Sequence, residues 1–388
     1  MQRKRDFVGY ITMGKSTDNL RIRWAEKTDL MKLQKFFSRE YNPRHIFTNK
    51  KHLKWYFADS PGSENSKFLP AVIAEDSSKK FVGFLGALPV DMWIAGKKYK
   101  CGWYANWLTA KEMRGRGIGM KIFHKMTNNY ELPLAVSFSN VAYPIYPKNG
   151  WEKISQYTRL LAILDPQKAV SIAQAIYPKK NADILKNHNF LLTKGNFKIP
   201  VSQLKIVWGI PQRNAWIKAW PVIKQRFGMT TDRSWQYISW RFLKHPFLKY
   251  HFATAYDLSG NISGLAVIRV EKANSVSIAR VVDIISLPQA DYSLIKSVLD
   301  FAKKEKCAAI DTYLTFAGYI RAFKKFGFRN GRAWPLYLVP ELFNPPAPYS
   351  LNPIRWAMLA KLDKLPKNVM PPWEERHFVK ANGDRDRA

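Results

Sequence analysis

The chain has 388 residues, of which 46% are hydrophobic and 14% aromatic, a composition that suits packed globular domains and excludes global disorder. Its length calls for two hydrophobic cores, and its mean hydropathy of -0.31, with no apolar run near the roughly 20 residues of a membrane span, excludes an integral membrane protein built from helices. Lysine and arginine total 63 against 29 acids, a net charge of +34. Such a surface attracts acidic partners (a nucleotide cofactor, an acidic carrier, an anionic membrane face or nucleic acid), unless it simply reflects a basic proteome.

The basic opening, Met1-Gln-Arg-Lys-Arg5, leads into no apolar segment, so it does not read as a secretory signal. Leu20-Arg-Ile-Arg-Trp24 alternates and predicts a first strand. A helical region rich in Lys and Phe follows through about Phe57. The apolar runs Leu69–Ala74 and Phe81–Ala87 flank the polar Glu75-Asp-Ser-Ser-Lys-Lys80 and predict a hairpin. Trp103–Thr109 is the next strand. After a glycine-rich turn, Ile122, Phe123 and Met126 share one face of a helix. Leu134–Phe138 is a fifth strand, and a short helix and further strands reach Leu164.

Residues 165–229 break this rhythm. Ten Lys or Arg fall between Lys179 and Arg226 against one acid, Asp183, and the stretch reads as a basic linker with some structure of its own. Inside it, Trp216, Trp220, Ile223 and Phe227 recur at helical spacing among Arg213, Lys218, Lys224 and Arg226. Two readings fit: a helix packed between domains, which comes first, and an amphipathic helix on an anionic membrane. Residues 230–340 then repeat the first half in outline. Trp55-Tyr-Phe57 before Pro61 matches Trp240-Arg-Phe242 before Pro246. The hairpin around Gly83 matches Ala253–Tyr256 with Gly264–Ile268, Leu134–Phe138 matches Ala308–Ile310, and Tyr146-x-x-x-Gly150-Trp151 matches Phe323-x-x-x-Gly327-Phe328. Four matches in one order predict an internal duplication. The boundaries expected are 1–164, 165–229, 230–340 and a proline-rich tail, 341–388, with Pro345, Pro346, Pro348, Pro353, Pro366, Pro371 and Pro372 holding it extended over the surface. Cys101 and Cys307 lie in core-like surroundings and are expected as buried free thiols in a reducing cytoplasm, and no Cys or His spacing suits a metal.

The chemistry concentrates in Arg114-Gly-Arg-Gly117-Ile-Gly119, between a strand and a helix. Glycines let main-chain N–H groups approach an anion unobstructed, and the helix that follows presents its positive end. A pyrophosphate is the natural guest. The spacing is not the dinucleotide-binding G-x-G-x-x-G, and the Gly-Lys-Ser/Thr of a P-loop is missing.

Trp107–Phe123 resembles motif A of the GNAT superfamily of acyl-CoA-dependent N-acyltransferases, with Arg114, Gly117 and Gly119 at the three signature positions. Asn140, Ala142, Tyr146, Gly150 and Trp151 resemble the second family signature, with Trp151 where the family has Phe and an Asn-to-Tyr interval about one residue short. The resemblance implies an α/β protein of two GNAT-like domains, each a mixed twisted sheet flanked by helices. It implies that Leu108, Thr109, Arg114, Gly115, Arg116, Gly117, Ile118, Gly119 and Asn140 hold acyl-CoA (acetyl-CoA first), with no metal. It further implies that an amine attacks the thioester directly while Tyr146 protonates the leaving thiolate. Asp91 is the candidate base; Glu112 in the turn and His124 on the helix read as solvated and structural residues. In the second copy Leu287-Pro-Gln-Ala-Asp291 replaces the turn and Phe323 replaces Tyr146, so no CoA binding is expected there; that half would shape the acceptor cleft, with Trp240-Arg-Phe242 lining it or packing in the core.

The tandem arrangement resembles enzymes that acylate an amino sugar, nucleotide- or lipid-linked, in surface-polysaccharide synthesis. It also resembles Fem-type peptidyl transferases that use aminoacyl-tRNA, and a silent module binding nucleic acid or an acidic protein is a third class. The intact turn favours the first. The expected place is the cytoplasm, with the inner membrane face as an alternative.

Overall fold

The computed structural model describes residues 20–41, 45–188, 204–273, 275–343, 346–347 and 356–382. The basic opening at 1–5 and the tail prolines Pro345, Pro348 and Pro353 lie outside them. The first half lays down β1 (Arg21–Glu26), α1 (Leu30–Glu40) and α2 (Lys50–Leu53), which widens into a π-helical turn over Lys54–Ala58. It continues with β2 (Phe68–Glu75), β3 (Phe81–Ile94), β4 (Lys97–Thr109), α3 (Ile118–Thr127), β5 (Leu132–Val136), α4 (Ile145–Lys148) and β6 (Trp151–Gln156). After β7 (Thr158–Ile163) and α5 (Pro166–Ile176) the series restarts. Now come β8 (Lys205–Trp208), α6 (Arg213–Ile223), β9 (Met229–Thr231) and α7 (Trp235–Ile238), again widening into a π-helical turn over Ser239–Leu243. Then follow β10 (His251–Tyr256), β11 (Ile262–Ala273), β12 (Val276–Ser286), α8 (Asp291–Lys304), β13 (Ala309–Leu314), α9 (Ala317–Lys325) and β14 (Arg329–Asn330). The tail forms a small ribbon, β15 (Leu342–Phe343) with β16 (Pro346–Ala347), then β17 (Ala357–Lys361) and β18 (Arg376–His377).

The two halves build the same sheet. One path runs β1-β2-β3-β4-β5-β17-β6 and the other β8-β10-β11-β12-β13-β7-β14. In each, only the fourth and fifth strands are parallel. The sixth strand of each sheet is lent by another part of the chain. β17, from the tail, enters between β5 and β6, and β7, from before the restart, enters between β13 and β14. β9 also extends the far end of β3, and β18 pairs with β9. The halves are therefore interwoven, and the boundaries read from sequence shift: Thr158–Ile163 serves the second sheet, and the expected linker holds that sheet's edge strand β8 and its first helix α6. Arg213 and Lys218 are exposed on α6, while Trp216, Trp220 and Ile223 are buried against the second core. The packed reading of that stripe is the one realised. In the tail, expected over the surface, residues 356–360 and 376–382 run through the interior, while 361–375 lies at the surface.

Helix faces follow the apolar spacing. α3 buries Ile118, Ile122, Phe123 and Met126, and it sits close to the sheet because Gly83 carries no side chain: a Cβ there would lie 2.6 Å from Ile122 Cδ1. The seam between halves shows the duplication most plainly. Trp55 and Trp240, at matching places in the two π-helical turns, stack at 4.9 Å and 14°. Each indole N–H donates to the other's carbonyl, at 2.9 and 2.8 Å. Trp240 thus packs in the seam, and with Trp55 it also borders an open pocket edged by Lys51, Lys54, Asp59 and Glu64. Cys101 and Cys307 are buried free thiols, both pushed up by burial. Among the described residues no helix is long and apolar enough to cross a membrane.

The lent strand β7 is locked by charge. Arg159 on β7 donates Nε and Nη2 to Asp311 on β13 at 2.9 and 2.8 Å, and Arg280 on β12 reaches the same carboxylate at 2.7 Å. All three side chains are fully buried. Burial would raise the Asp311 carboxyl, but Arg280 and Arg159 outweigh it and hold it below its usual 3.8. The ion pairing is therefore complete above that unfolded value and is lost as pH falls through the lower folded one. Asp311→Ala leaves Arg159 buried without a carboxylate and Arg280 with Glu271 alone, and is expected to cost about 3–5 kcal/mol, read as a lower urea midpoint.

Candidate active site

β4 and β5 run paired from Cys101–Leu132 to Trp103–Leu134 and then part. The cause is a bulge. Phe84 faces Leu108 while Gly86 faces Ala105, so β4 carries one residue more than β3 between these pairs, and Asn106 adopts a φ of +59° to fit. A bulge bends its strand and ends pairing locally. Among the described residues, Ala105–Thr109 has no strand partner on the β5 side. The two strands form a V, open toward the Arg114–Gly119 turn.

The turn itself is shaped for an anion. Arg114 Nε donates to the Thr109 carbonyl at 3.3 Å and closes the loop over the end of β4. Gly115 and Gly117 have φ of +78° and +73°, a region that side chains resist, and a Cβ on either would meet nothing within 4 Å. Their outer faces are open. Gly117 caps the ten-residue α3, whose first N–H groups and positive end face the same space. Lys111, Arg114 and Lys121 are exposed around it, Arg116 is half-buried, and Ile118 anchors the helix in the core. Leu108 and Thr109 end β4 opposite Phe84 and Gly83.

The third part is Tyr146, on α4. Its ring is buried in an aromatic box, edge-on to Phe138 at 4.7 Å, Trp151 at 4.8 Å, Phe123 at 5.4 Å and Trp107 at 5.9 Å. Burial pushes its phenol well above the usual range. Trp107, which the sequence did not single out, joins the parts. It stacks on Phe123 at 4.9 Å, touches Tyr146, and a Cβ on Gly119 would come within 3.3 Å of its Nε1. The turn, the open side of β4 and Tyr146 therefore converge.

The other sequence candidates stand apart. Asp91 pairs with Lys100 in the β3–β4 ladder, about 17 Å beyond Gly86 at ~3.3 Å per residue, and its carboxylate meets Lys98 Nζ at 3.1 Å. Asn140 is exposed in the loop between β5 and α4. Glu112 pairs with Lys80 at 3.4 Å, and His124 bonds Asn149 at 3.1 Å beside the end of α4. Among the described residues no cluster of His, Cys, Asp and Glu could hold a metal.

Residues 37–154, which contain the bulge, the turn and Tyr146, match the family of acetyltransferase (GNAT) domains. The chain carries a GNAT acyltransferase domain. No curated protein matches it by sequence. Among solved structures it is similar to a probable N-acyltransferase from Enterococcus faecalis, with 12% identity over 89% of this chain and 74% of that one and a TM-score of 0.54. It is similar also to N-myristoyltransferase from Saccharomyces cerevisiae with bound myristoyl-CoA, at 10% identity over 92% and 86% and a TM-score of 0.51. A GCN5-related N-acetyltransferase from Anabaena variabilis matches at 13% identity over 76% and 65%, TM-score 0.51. At these identities the likeness is one of fold.

The second GNAT-like unit has the same V and has filled it. β12 and β13 pair from Ile278–Ala309 to Val281–Thr312 and then separate. The tail residues after β18 enter the gap. Ala381 N–H donates to Val282 O at 3.0 Å, Val379 bridges Leu314, and Thr315 N–H donates to Phe378 O at 3.1 Å. The start of α8 is also taken. Asp291 lies where the first unit offers room to an anion, held by Arg226 through two contacts of 2.6 Å and by Ser286 Oγ at 2.7 Å. Phe323, in the place of Tyr146, is fully buried.

Proposed function

We propose that the first GNAT unit transfers an acyl group, acetyl first, from acyl-CoA to a primary amine, and that the second unit shapes the acceptor side without binding CoA. The contrast between the units carries this reading: among the described residues the same V is open beside a bare glycine turn in one and filled by the chain itself in the other. Arg114, Gly115, Arg116, Gly117, Ile118 and Gly119 would hold the pyrophosphate through main-chain amides and nearby positive charge. Leu108 and Thr109, on the unpaired side of β4, offer backbone groups to the amide-bearing arm of CoA. Asn140, exposed in the loop between β5 and α4, is proposed as a contact of the same ligand on the family resemblance alone. The myristoyl-CoA in the similar yeast structure supports a CoA thioester as the co-substrate of this fold.

In the reaction the amine, as free base, attacks the thioester carbon. The C–N bond forms, the C–S bond breaks, the new amide nitrogen gives up one proton and the sulfur gains one. Tyr146 is proposed as the donor to sulfur. Its raised phenol stays protonated through the neutral range, so it imposes no alkaline limb on kcat below pH ~10. Asp91, ion-paired at the other end of β3, is not placed to take the amine's proton, and the amine would lose it to solvent. The acceptor class proposed is an amino sugar on a nucleotide or lipid carrier, for which the net charge of +34 supplies attraction.

The test is stabilisation by ligand. Acetyl-CoA at a hundredfold excess over Kd should add about 2.7 kcal/mol and raise Tm. No shift with acetyl-CoA together with a shift from aminoacyl-tRNA would replace this reading with a Fem-type one. Tyr146→Phe should keep the acetyl-CoA shift and lose ~10²–10⁴ in kcat. A variant with full turnover removes Tyr146 from the role.

A further inference from the structure

The chain passes from the first sheet to the second between Gln156, the end of β6, and Thr158, the start of β7. A cleft of ≈ 510 Å³ opens there, lined by Gln156, Tyr157, Thr158, Asn330 and Arg332. That is room for a small ligand. No carboxylate lines it, and its charge comes from Arg332, on the segment after β14. Arg332 is held firmly but left uncommitted. Its guanidinium lies over the ring of Trp356 at 5.3 Å, and the fully buried Trp356 stacks in turn on Tyr313 at 5.0 Å and 3°. Arg159, Arg280 and Arg226 are each met by a carboxylate. Among the described residues, no carboxylate or other acceptor meets the side chain of Arg332. A guanidinium stacked by its face keeps its edge of N–H donors for an oxyanion. The neighbouring groups also donate. The side-chain oxygens of Gln156 and Asn330 already accept, from Lys153 Nζ at 2.6 Å and from the Arg332 main-chain N–H at 3.0 Å, which leaves each amide its NH2 group. The place of the cleft is also informative. Met358 of β17 pairs with Val136, the last residue of β5, on one side and with Ser155 on the other. The cleft beside Gln156 therefore lies at the end of the sheet where the V opens, two strand spacings or about 10 Å from β5.

We propose that this cleft binds a phosphate group of the acceptor, the one that joins an amino sugar to its nucleotide or lipid carrier, while the amine reaches the thioester in the V. The acceptor role rests on the acyl-transfer reading of the first unit; the anion site itself rests on Arg332 and its neighbours. The donors favour phosphate over carboxylate. Arg332, Asn330, Gln156 and Thr158 together exceed what the pair of carboxylate oxygens can use, and suit the larger set of oxygens on a phosphate. The site makes and breaks no bond. It holds the substrate by a part remote from the reacting amine, which is how binding energy is turned into orientation. It also gives the second unit a share in the reaction that needs no CoA, since Asn330 and Arg332 both belong to that unit.

The test is titration calorimetry of inorganic diphosphate into the full chain in excess CoA, which keeps the glycine turn occupied. The wild type should bind diphosphate saturably. Arg332→Gln should weaken that binding roughly 10–100-fold, the worth of hydrogen bonds to a charged group. Arg332→Lys keeps the charge but loses the stacked fork, and should fall between the two. Both variants should keep the wild-type rise in Tm with acetyl-CoA, which shows that they fold, and acetate should not displace diphosphate from the wild type. Equal diphosphate binding by the wild type and Arg332→Gln overturns the site. Displacement by equimolar acetate overturns the choice of phosphate. A wild type that binds diphosphate through Arg332 but does not respond to acetyl-CoA overturns the transferase reading and the acceptor role with it, and leaves the anion site standing.

Discussion

Gly117→Val abolishes the stabilisation conferred by acetyl-CoA while leaving the protein folded; this is the largest functional effect expected of a single substitution. Gly117 has a φ of +73°, and its missing side chain faces open space, with nothing within 4 Å of a Cβ. The fold therefore does not reject valine by collision. It bears only the left-handed backbone cost, roughly 1–2 kcal/mol. The branched side chain projects instead into the space at the start of α3 where the pyrophosphate would lie against main-chain N–H groups. Gly260→Val is the matched control. Gly260 turns the β10–β11 hairpin at φ +79°, also with nothing within 4 Å, so it carries the same strain in the second unit. It should lose similar stability and keep the full acetyl-CoA response in thermal shift or calorimetry. Equal loss of the response in both variants would show that the turn acts through stability and not by holding phosphate.

The turn was readable because everything it does is local. Glycines at 115, 117 and 119 and the helix that follows lie within a dozen residues, and the conformations they permit are the ones adopted. The duplication was readable through Trp55 and Trp240, whose spacing to Pro61 and Pro246 survives because both indoles serve one symmetric contact across the seam. The bulge left no mark in sequence: Asn106 looks like any polar residue in a strand, and only pairing with β3 shows that β4 holds a residue too many. Asp91 misled because a carboxylate near a strand end suggests a base, whereas β3 runs on past the site and Lys98 neutralises it. The linker misled by its charge. Arg213 and Lys218 mark the wet face of α6 but say nothing of Trp216 and Trp220, whose indole N–H groups reach Arg233 O at 2.7 Å and Asp232 Oδ1 at 2.8 Å.

The tail was the hardest element to foresee, and its removal should have the largest effect on stability. Seven prolines in a stretch without periodicity suggest an extended arm, and its described residues include the strands β17 and β18. What composition does not say is that an extended segment can enter a gap between separated strands. His377, Phe378, Val379, Ala381 and Asn382 are fully buried. They meet both units at once. His377 Nδ1 bonds Thr230 Oγ1 at 3.0 Å, Tyr157 Oη donates to Val379 O at 3.1 Å, Tyr237 Oη donates to Ala381 O at 3.3 Å, and Asn382 Nδ2 donates to Thr231 Oγ1 at 2.9 Å. Truncation before Arg376 removes these acceptors and donors together with the Phe378 ring, which packs edge-on to Trp103 at 5.7 Å. A buried phenylalanine alone is worth about 3–5 kcal/mol, and each polar group left unpaired adds about 1–3. Two or three such losses approach the whole stability of a typical fold, about 5–15 kcal/mol, so the truncated chain should show no cooperative thermal transition. Phe378→Ala, which keeps the segment's main-chain bonds, should still fold, with Tm lowered and the acetyl-CoA response retained, because the open V of the first unit does not contain it. A truncated chain that melts like the full one would mean the second V needs no filling, and the account of why only one unit is active would lose its structural cause.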